Sequence, residues 1–103
     1  MSGGRIPPAV SAVLARRLST CPHRPATLRV QVEEDGWVLR LADEVGRPAI
    51  WRLAAPQGEL VLEPVLVDAA PDTADWTAAV EAALPELAAL PGVIRRVMRR
   101  RGP

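Results

Sequence analysis

Cys21 and His23 are the only cysteine and the only histidine of the chain, and they stand two positions apart. A thiolate and an imidazole are the side chains that a zinc site or a nucleophile–base pair would use. An ordinary metal site needs about three or four ligands, and a nucleophile needs a base within reach of its sulfur. Because no further soft ligand is present, we predict no metal, no cofactor and no catalytic set, and we interpret the segment as a loop.

The acidic residues and the glycines also lack a catalytic pattern. The twelve acidic residues are scattered, and several lie at predicted turns, where solvated carboxylates are expected. The glycines of the opening Met-Ser-Gly-Gly-Arg follow no strand, and the chain has no lysine to complete a phosphate-binding loop. An enzyme or ligand-binding protein with a pocket between sheet and helices is therefore kept only as a third hypothesis.

The basic residues are more informative in their distribution than in their type. All thirteen are arginine, which is typical of a GC-rich, bacterial genome. Formal charge is +5 over residues 1–30, −9 over residues 31–90 and +5 over residues 91–103. Either the basic ends pair with the acidic middle in the folded protein, or they form one basic pole that attracts a partner.

The C-terminal segment RRVMRRRGP, residues 95–103, is the densest basic stretch. Its candidate contact residues are Arg95, Arg96, Arg99, Arg100 and Arg101. The other side of this short predicted helix carries Val93, Ile94, Val97 and Met98. Three interpretations stay open: arginines that favour the helix dipole, a contact with nucleic-acid phosphates, and an amphipathic helix that docks on a protein or a membrane surface. No aromatic residue follows Trp76, so base stacking is not expected here.

The elements that position these residues begin with a helix. Apolar residues at helical spacing predict a helix over residues 7–20, after a flexible arm at residues 1–6. Pro7 and Pro8 suit a first helical turn. Alternating apolar and polar residues then predict a four-stranded antiparallel meander over residues 27–67.

Turn chemistry fixes the expected register of the meander. An Asp35-Gly36 turn would pair Val32 with Leu39. A three-residue loop at 44–46 would pair Leu39 with Trp51, and a four-residue loop at 56–59 would pair Leu53 with Leu62. These registers place one apolar set on the same face of the sheet, as burial of one face requires.

The fourth strand is expected to send Leu60, Leu62 and Leu66 inward. Pro64 lacks the N–H of a ladder donor, so this strand should lie at an edge or carry a bulge. The opposite, outward face would carry Arg29, Gln31, Val38, Arg40, Ile50, Arg52, Val61, Glu63, Val65 and Val67. Arg29 would face Arg40 across the first two strands, with Arg52 nearby, and such like-charge neighbours are mildly destabilising. We therefore add Arg29, Arg40 and Arg52 to the candidate contacts with a partner or nucleic acid.

A helical region is predicted over residues 72–101. Asp72 or Thr73 would cap it, and an apolar stripe at helical spacing runs from Trp76 to Leu87. Pro85 should kink or restart the helix, and Leu90-Pro91-Gly92 should break it. The predicted fold is α+β: an N-terminal helix, the meander, and a kinked helical region packed on one sheet face, all in one domain over residues 1–103.

The function predicted from this pattern is binding without catalysis. The first hypothesis is a small binding or adaptor domain that acts through protein–protein contacts, including a homodimer along the edge strand or outward face. The second is a nucleic-acid-associated protein that uses the basic C-terminal helix; a membrane surface comes after both. No signal-peptide core and no apolar stretch of about eighteen residues is present, so a cytoplasmic protein is expected.

Overall fold

The computed structural model describes residues 6–33 and 36–99, and the side chains of Met98 and Arg99 lie outside that description. The elements are α1 (Pro8–Leu18), β1 (Thr27–Glu33), β2 (Gly36–Ala42), β3 (Pro48–Ala54), β4 (Val61–Leu66), α2 (Pro71–Ala89) and α3 (Val93–Arg99). The strands form an antiparallel sheet in the order β1-β2-β3-β4. The predicted α+β architecture is confirmed. Of the predicted flexible arm at residues 1–6, residues 1–5 lie outside the described residues, whereas Ile6 is partly buried against the core and does not belong to a free arm.

The core lies between the helices and one face of the sheet, which we call the inner face. Alternate residues of β2 and β3 point into it, as the two-residue period of a strand requires. The helices supply the opposing apolar stripes, and α3 packs against β2 and β3. The most deeply buried side chains are Trp37, Trp51, Leu14, Leu39, Leu41, Leu53, Leu87, Val10, Val80, Val93 and Val97.

The register predicted for the first hairpin is wrong by two residues. Val32 lies opposite Trp37, and Gly36 belongs to β2, where it pairs with Glu33. Gly36 has a φ of 139°, and a Cβ built on it would stand 2.3 Å from the carbonyl oxygen of Leu53. The glycine is thus needed for close strand approach within the sheet, and a shift by two keeps every side chain on its predicted face.

The other two turns have the predicted registers. Leu39 lies opposite Trp51, and Leu53 lies opposite Leu62. The Asp43 carboxylate accepts hydrogen bonds from the backbone N–H groups of Val45 and Arg47, which closes the β2–β3 turn. Local side-chain chemistry therefore supports the register that the hydrophobic pattern predicts.

A bulge in β4 corrects two of the predicted orientations. Trp51 pairs with Pro64, but Ile50 pairs with Leu66, so one extra residue, Val65, enters β4 at this point. An odd insertion reverses the facing of the strand residues after it. Leu66, predicted inward, points outward and is 51% exposed. Val67, predicted outward, packs against the core.

The helical region differs from the prediction at its start. α2 begins at Pro71, and Asp68 organises the preceding turn by accepting hydrogen bonds from the Ala70 N–H and the Thr73 hydroxyl. Neither Asp72 nor Thr73 is the N-cap, because both already lie in the first turn. The α-helix continues through Pro85 without a restart, whereas the predicted break is present, with Gly92 at a φ of 81° before α3.

Candidate partner-binding face of the sheet

The outer face of the sheet, which points away from the core, carries rows that mix arginine and aliphatic side chains. The strand register places these residues side by side across all four strands. From β1 to β4, one row is Arg29, Arg40, Ile50 and Leu66, and the next is Gln31, Val38, Arg52 and Glu63. In the first row, the two arginines on β1 and β2 form what we call the basic half, and Ile50 and Leu66 on β3 and β4 form the apolar half. The second row differs, because its charged residues, Arg52 and Glu63, lie on β3 and β4.

The basic half is built around a like-charge pair. Arg29 lies directly opposite Arg40, and both side chains are exposed on the predicted face. The Arg40 Nε donates a hydrogen bond to the Gln31 side-chain oxygen at 3.0 Å, which orients the guanidinium over β1. Two like charges in direct opposition destabilise a sheet, so folding alone does not favour this pair.

The apolar half owes its exposure to the bulge. Val65 is 53% exposed and Leu66 is 51% exposed, beside the half-buried Ile50. The bulge and Pro64 also blunt the edge of β4, because both disturb the row of backbone groups that another strand would pair with. Contact through the outer face is thus favoured over addition of a strand at this edge.

Arg52 is partly buried between these halves. It lies opposite Glu63 on one side and Val38 on the other. Val38 is only 6% exposed although it points outward, and its cross-strand neighbours Gln31 and Arg52 have long stems suited to covering it. The Arg52 Nε is buried without a hydrogen-bond partner among the described residues.

The two C-terminal arginines whose side chains the structure describes, Arg95 and Arg96, do not join this surface. α3 packs on the inner side of the sheet through Val93 and Val97, and Arg95 and Arg96 are exposed on its far side. The sheet therefore separates them from Arg29 and Arg40. Two further candidates, Arg100 and Arg101, lie outside the described residues, as does the side chain of Arg99.

Two arginines of the N-terminal segment form ion pairs within the fold. Arg16 and Arg17 of α1 both donate hydrogen bonds to the Glu86 carboxylate of α2. The bond from Arg17 is the main cause that lowers the pKa of Glu86, with Arg16 adding to it. Two arginines of the basic N-terminal segment thus pair with a glutamate of the acidic middle, which is the kind of contact that the first charge interpretation predicts.

Cys21 and His23 attach the α1–β1 loop to α2. The Trp76 Nε1 donates to the backbone oxygen of His23 at 2.8 Å, and the Cys21 thiol donates to the Asp75 carbonyl at 3.6 Å. The His23 Nδ1 lies 3.8 Å from an Asp72 carboxylate oxygen. Burial, followed by the charge of Asp75, raises the pKa of the Cys21 thiol, which favours the protonated and less nucleophilic form.

An open cleft of about 410 Å³ lies beside this loop, lined by His23, Arg24, Glu44 and Asp72 among others. Its remaining carboxylate, Asp43, already accepts two backbone hydrogen bonds and pairs with Arg47. Within the described residues, no group of three or more histidine, cysteine, aspartate or glutamate side chains is arranged to hold a metal ion. The cleft thus brings polar groups together without an evident catalytic arrangement.

Comparison with known proteins adds no assignment to this geometry. No protein-family model, no curated protein and no solved structure matches the chain. In the part of the chain that the structure describes, no helix combines the length and apolar character needed to cross a bilayer.

Sequence reasoning located the outer face only in part. The two-residue period of a strand places the arginines on the correct face, but it does not reveal the bulge that exposes Leu66.

Proposed function

We propose that this protein is a small, non-catalytic binding domain that recognises a protein partner through the outer face of its sheet. The observation that carries the proposal is the row Arg29–Arg40–Ile50–Leu66, in which an opposed arginine pair continues into exposed aliphatic side chains. Arginine beside apolar surface is a common composition at protein interfaces. The basic residues are all arginine, which suits a GC-rich, bacterial source for such an adaptor.

The partner chemistry follows from the two halves of the face. An acidic side chain placed between Arg29 and Arg40 would neutralise their repulsion and accept charge-assisted hydrogen bonds from both. Aliphatic side chains of the same partner would cover Val65 and Leu66, which are half exposed in the free domain. A partner segment with carboxylates about one strand spacing from apolar residues therefore fits the row.

A protein partner fits better than a nucleic acid for two reasons. The three tryptophans, which are the only aromatic residues, are 1–2% exposed and offer no stacking platform. The described arginines are also divided: Arg16 and Arg17 hold Glu86, and the sheet separates Arg95 from Arg29. The nucleic-acid hypothesis would need phosphate contacts from one of these separate groups alone.

Site-specific photo-crosslinking in living source cells tests the proposal. A photoreactive amino acid at Val65 is expected to yield a discrete protein adduct that survives nuclease treatment. The Arg40→Glu change in the same chain should abolish the adduct, since it removes one half of the arginine pair. Ala12, exposed on α1 and away from the sheet, is the matched control position and should give no such adduct.

Three results would contradict the proposal. Equal labelling from Val65 and Ala12 would show non-specific contact, and absence of any Val65 adduct would remove the partner from this face. An adduct that nuclease destroys would favour the nucleic-acid hypothesis, whose binding should weaken steeply with added salt. Thermal melting of the Arg40→Glu protein checks that its fold is retained.

A further inference from the structure

The two edges of the sheet differ in how well they could pair with a further strand. At β4, Pro64 and the bulge interrupt the row of backbone groups. At the other edge, β1 pairs with β2 residue by residue from Thr27 to Glu33, without a bulge and without proline. A regular edge strand turns the N–H and C=O groups of alternate residues away from the sheet, where another strand can pair with them.

The side chains of β1 on the inner face are covered only in part. Leu28, Val30 and Val32 pack against the core, but all three remain half-buried. Their cross-strand partners on β2 are at most 2% exposed: Leu41, Leu39 and Trp37. The core therefore thins out at β1, and a row of aliphatic surface continues to the open edge.

A small groove accompanies this row on the helical side of the sheet. It has a volume of about 170 Å³ and lies between α1, the α1–β1 loop and β1. Its described lining is mostly apolar or small: Ala15, Leu18, Ser19, Arg24, Pro25 and Leu28. No residue of β2 belongs to that lining, so the groove lies on the open side of β1. A strand added at this edge would direct alternate side chains toward the inner face, where the groove can receive one of them.

We propose that β1 is the contact strand of a homodimer, in which the β1 strands of two copies pair antiparallel and form one continuous sheet. An antiparallel edge is self-complementary, because a two-fold axis brings the same donors and acceptors of two copies together. The side chains also suit a second copy. With Val30 on the axis, Leu28 lies opposite Val32 of the other copy, so the half-buried aliphatic residues of both copies cover each other.

The register about Val30 is favoured over its neighbours. An axis between two residues would pair inward side chains with outward ones. An axis at Arg29 would oppose two like charges. An axis at Gln31 would leave Thr27 and Leu28 without a partner residue in the other β1. With Val30 on the axis, the whole of β1 is paired, and Arg29 lies opposite the uncharged Gln31 of the other copy.

This contact is separate from the partner site on the outer face. Pairing at the edge joins the two sheets side by side and leaves both outer faces open to a partner. It also lies at the opposite edge from β4, whose Pro64 marked it as an edge strand in the sequence. Failure of the β1 contact and failure of the outer face as a partner site are therefore distinguishable results.

Sedimentation equilibrium of the full chain, over a wide concentration range, tests the dimer. Wild-type protein should show a concentration-dependent monomer–dimer equilibrium. Val30→Lys should weaken dimerisation by about tenfold or more, because it places two like charges at the axis within the aliphatic row. Leu62→Lys is the matched control and should leave the dissociation constant unchanged, since Leu62 is also a half-buried, inward aliphatic residue of an edge strand.

Cysteine crosslinking tests the register. Arg29→Cys, Val30→Cys and Gln31→Cys are compared in a Cys21→Ser background, so that each chain has a single thiol. Only the residue on the axis brings its two Cα atoms to within about 4.5–5.5 Å, a separation that a disulfide spans. Val30→Cys should therefore form the interchain disulfide fastest, whereas fastest crosslinking at position 29 or 31 would overturn this register.

A strictly monomeric wild type would overturn the proposal and leave the β1 edge to a different extended segment. A dimer that Val30→Lys does not weaken, or that Leu62→Lys weakens equally, would overturn it as well. Thermal melts establish that the compared proteins are folded. If Val30→Lys does not fold, the milder cysteine variants decide, because absence of a crosslink at all three positions also contradicts a β1 dimer.

Discussion

The inner and outer faces of the sheet are built from alternate residues of the same strands, yet they follow different rules. Inward, Leu39, Trp51 and Leu53 are at most 1% exposed and belong to one core with buried residues of all three helices. Outward, their immediate neighbours in sequence include Arg40 and Arg52. Burial accounts for the inner residues completely, since each removes a large apolar area from water.

Burial of apolar area does not explain the residues of the outer face. Arg29 and Arg40 oppose each other, and Leu66 leaves half its surface in water, so this face contains arrangements that lower stability or add nothing to it. A fold selected only for stability would not need them. The inner face therefore supplies the burial that stabilises the fold, whereas the outer face carries residues whose arrangement folding does not require.

The largest expected effect comes from the inner face. Trp51→Ala should destabilise the protein by about 3–5 kcal/mol, because it removes a large side chain from the centre of the core and leaves a cavity. Urea denaturation followed by circular dichroism measures this loss. Val65→Ala on the outer face should cost less than about 1 kcal/mol, and similar losses at the two positions would break the comparison.

Two tryptophan variants test how hydrogen bonding contributes to stability within the core. The Trp51 Nε1 is buried with no hydrogen-bond partner among the described residues, whereas the Trp76 Nε1 donates to His23. Trp51→Phe should therefore cost about 0.5–1.5 kcal/mol less than Trp76→Phe, since only the second change removes a hydrogen bond, the one from Trp76 to the His23 carbonyl. Equal costs in urea titrations would indicate that Trp51 does have a partner.

Backbone approach between strands gives the next largest effect. Gly36→Ala should cost about 2–4 kcal/mol, since a Cβ would overlap the Leu53 carbonyl oxygen and φ is 139°. Gly46→Ala is the matched control: φ is 89°, but no atom lies within 4 Å of the added Cβ. Its cost should be only about 1–2 kcal/mol, the conformational term alone. Equal thermal shifts would show that Gly36 is not tightly packed.

The same glycine illustrates where sequence reasoning succeeded and where it stopped. The alternation of β1 and β2 identified the correct faces, because the period of a strand survives a shift of two residues. The Asp-Gly signal nevertheless gave the wrong turn, since it interprets Gly36 as a local turn residue. The actual reason for glycine is its approach to Leu53, a contact between residues distant in sequence that local turn preferences do not encode.

The candidate sites show the same limit. Pro64 correctly predicted a bulge or an edge, but the position of the extra residue depends on how β4 packs against β3, and that position decides whether Leu66 points inward. Likewise, Ala15 and Leu28 are separated in sequence and line one groove only because α1 packs beside β1. Arg29 and Arg40, by contrast, were placed on the correct face by strand periodicity alone, although the register predicted from the turn would set Arg40 opposite Gln31 and not opposite Arg29.

Helices α1 and α2, which cover the inner face, are joined by an ion-pair contact whose contribution to stability depends on pH. The arginines of α1 lower the pKa of Glu86 in the folded state, so the contact adds stability above the ordinary value of 4.5 and loses it as pH falls through the lowered folded value. Glu86→Gln should reduce the melting temperature at pH 7, with the gap to wild type closing in acid. Glu44→Gln, at an exposed position of the β2–β3 turn, is the control, and a gap that persists at low pH would contradict this assignment. The effect should be smaller than those above, because the pair is partly solvated.

The smallest expected effect has the opposite sign and bears most directly on function. Arg29→Glu replaces an opposed like-charge pair by an ion pair with Arg40, so it should raise stability by up to about 0.5 kcal/mol in low salt. The same change should abolish the Val65 photo-adduct, because the partner loses its cationic contact. Arg47→Glu, at the β2–β3 turn, is the control for charge alone; it should destabilise the turn by breaking the ion pair with Asp43 and leave the adduct in place. If the Arg29→Glu protein retains the adduct, the arginine pair is part of a solvated surface and does not bind the partner. If the protein becomes more stable and loses the adduct, Arg29 lowers the stability of the fold and serves partner binding, which is the trade-off between stability and function found at many binding sites.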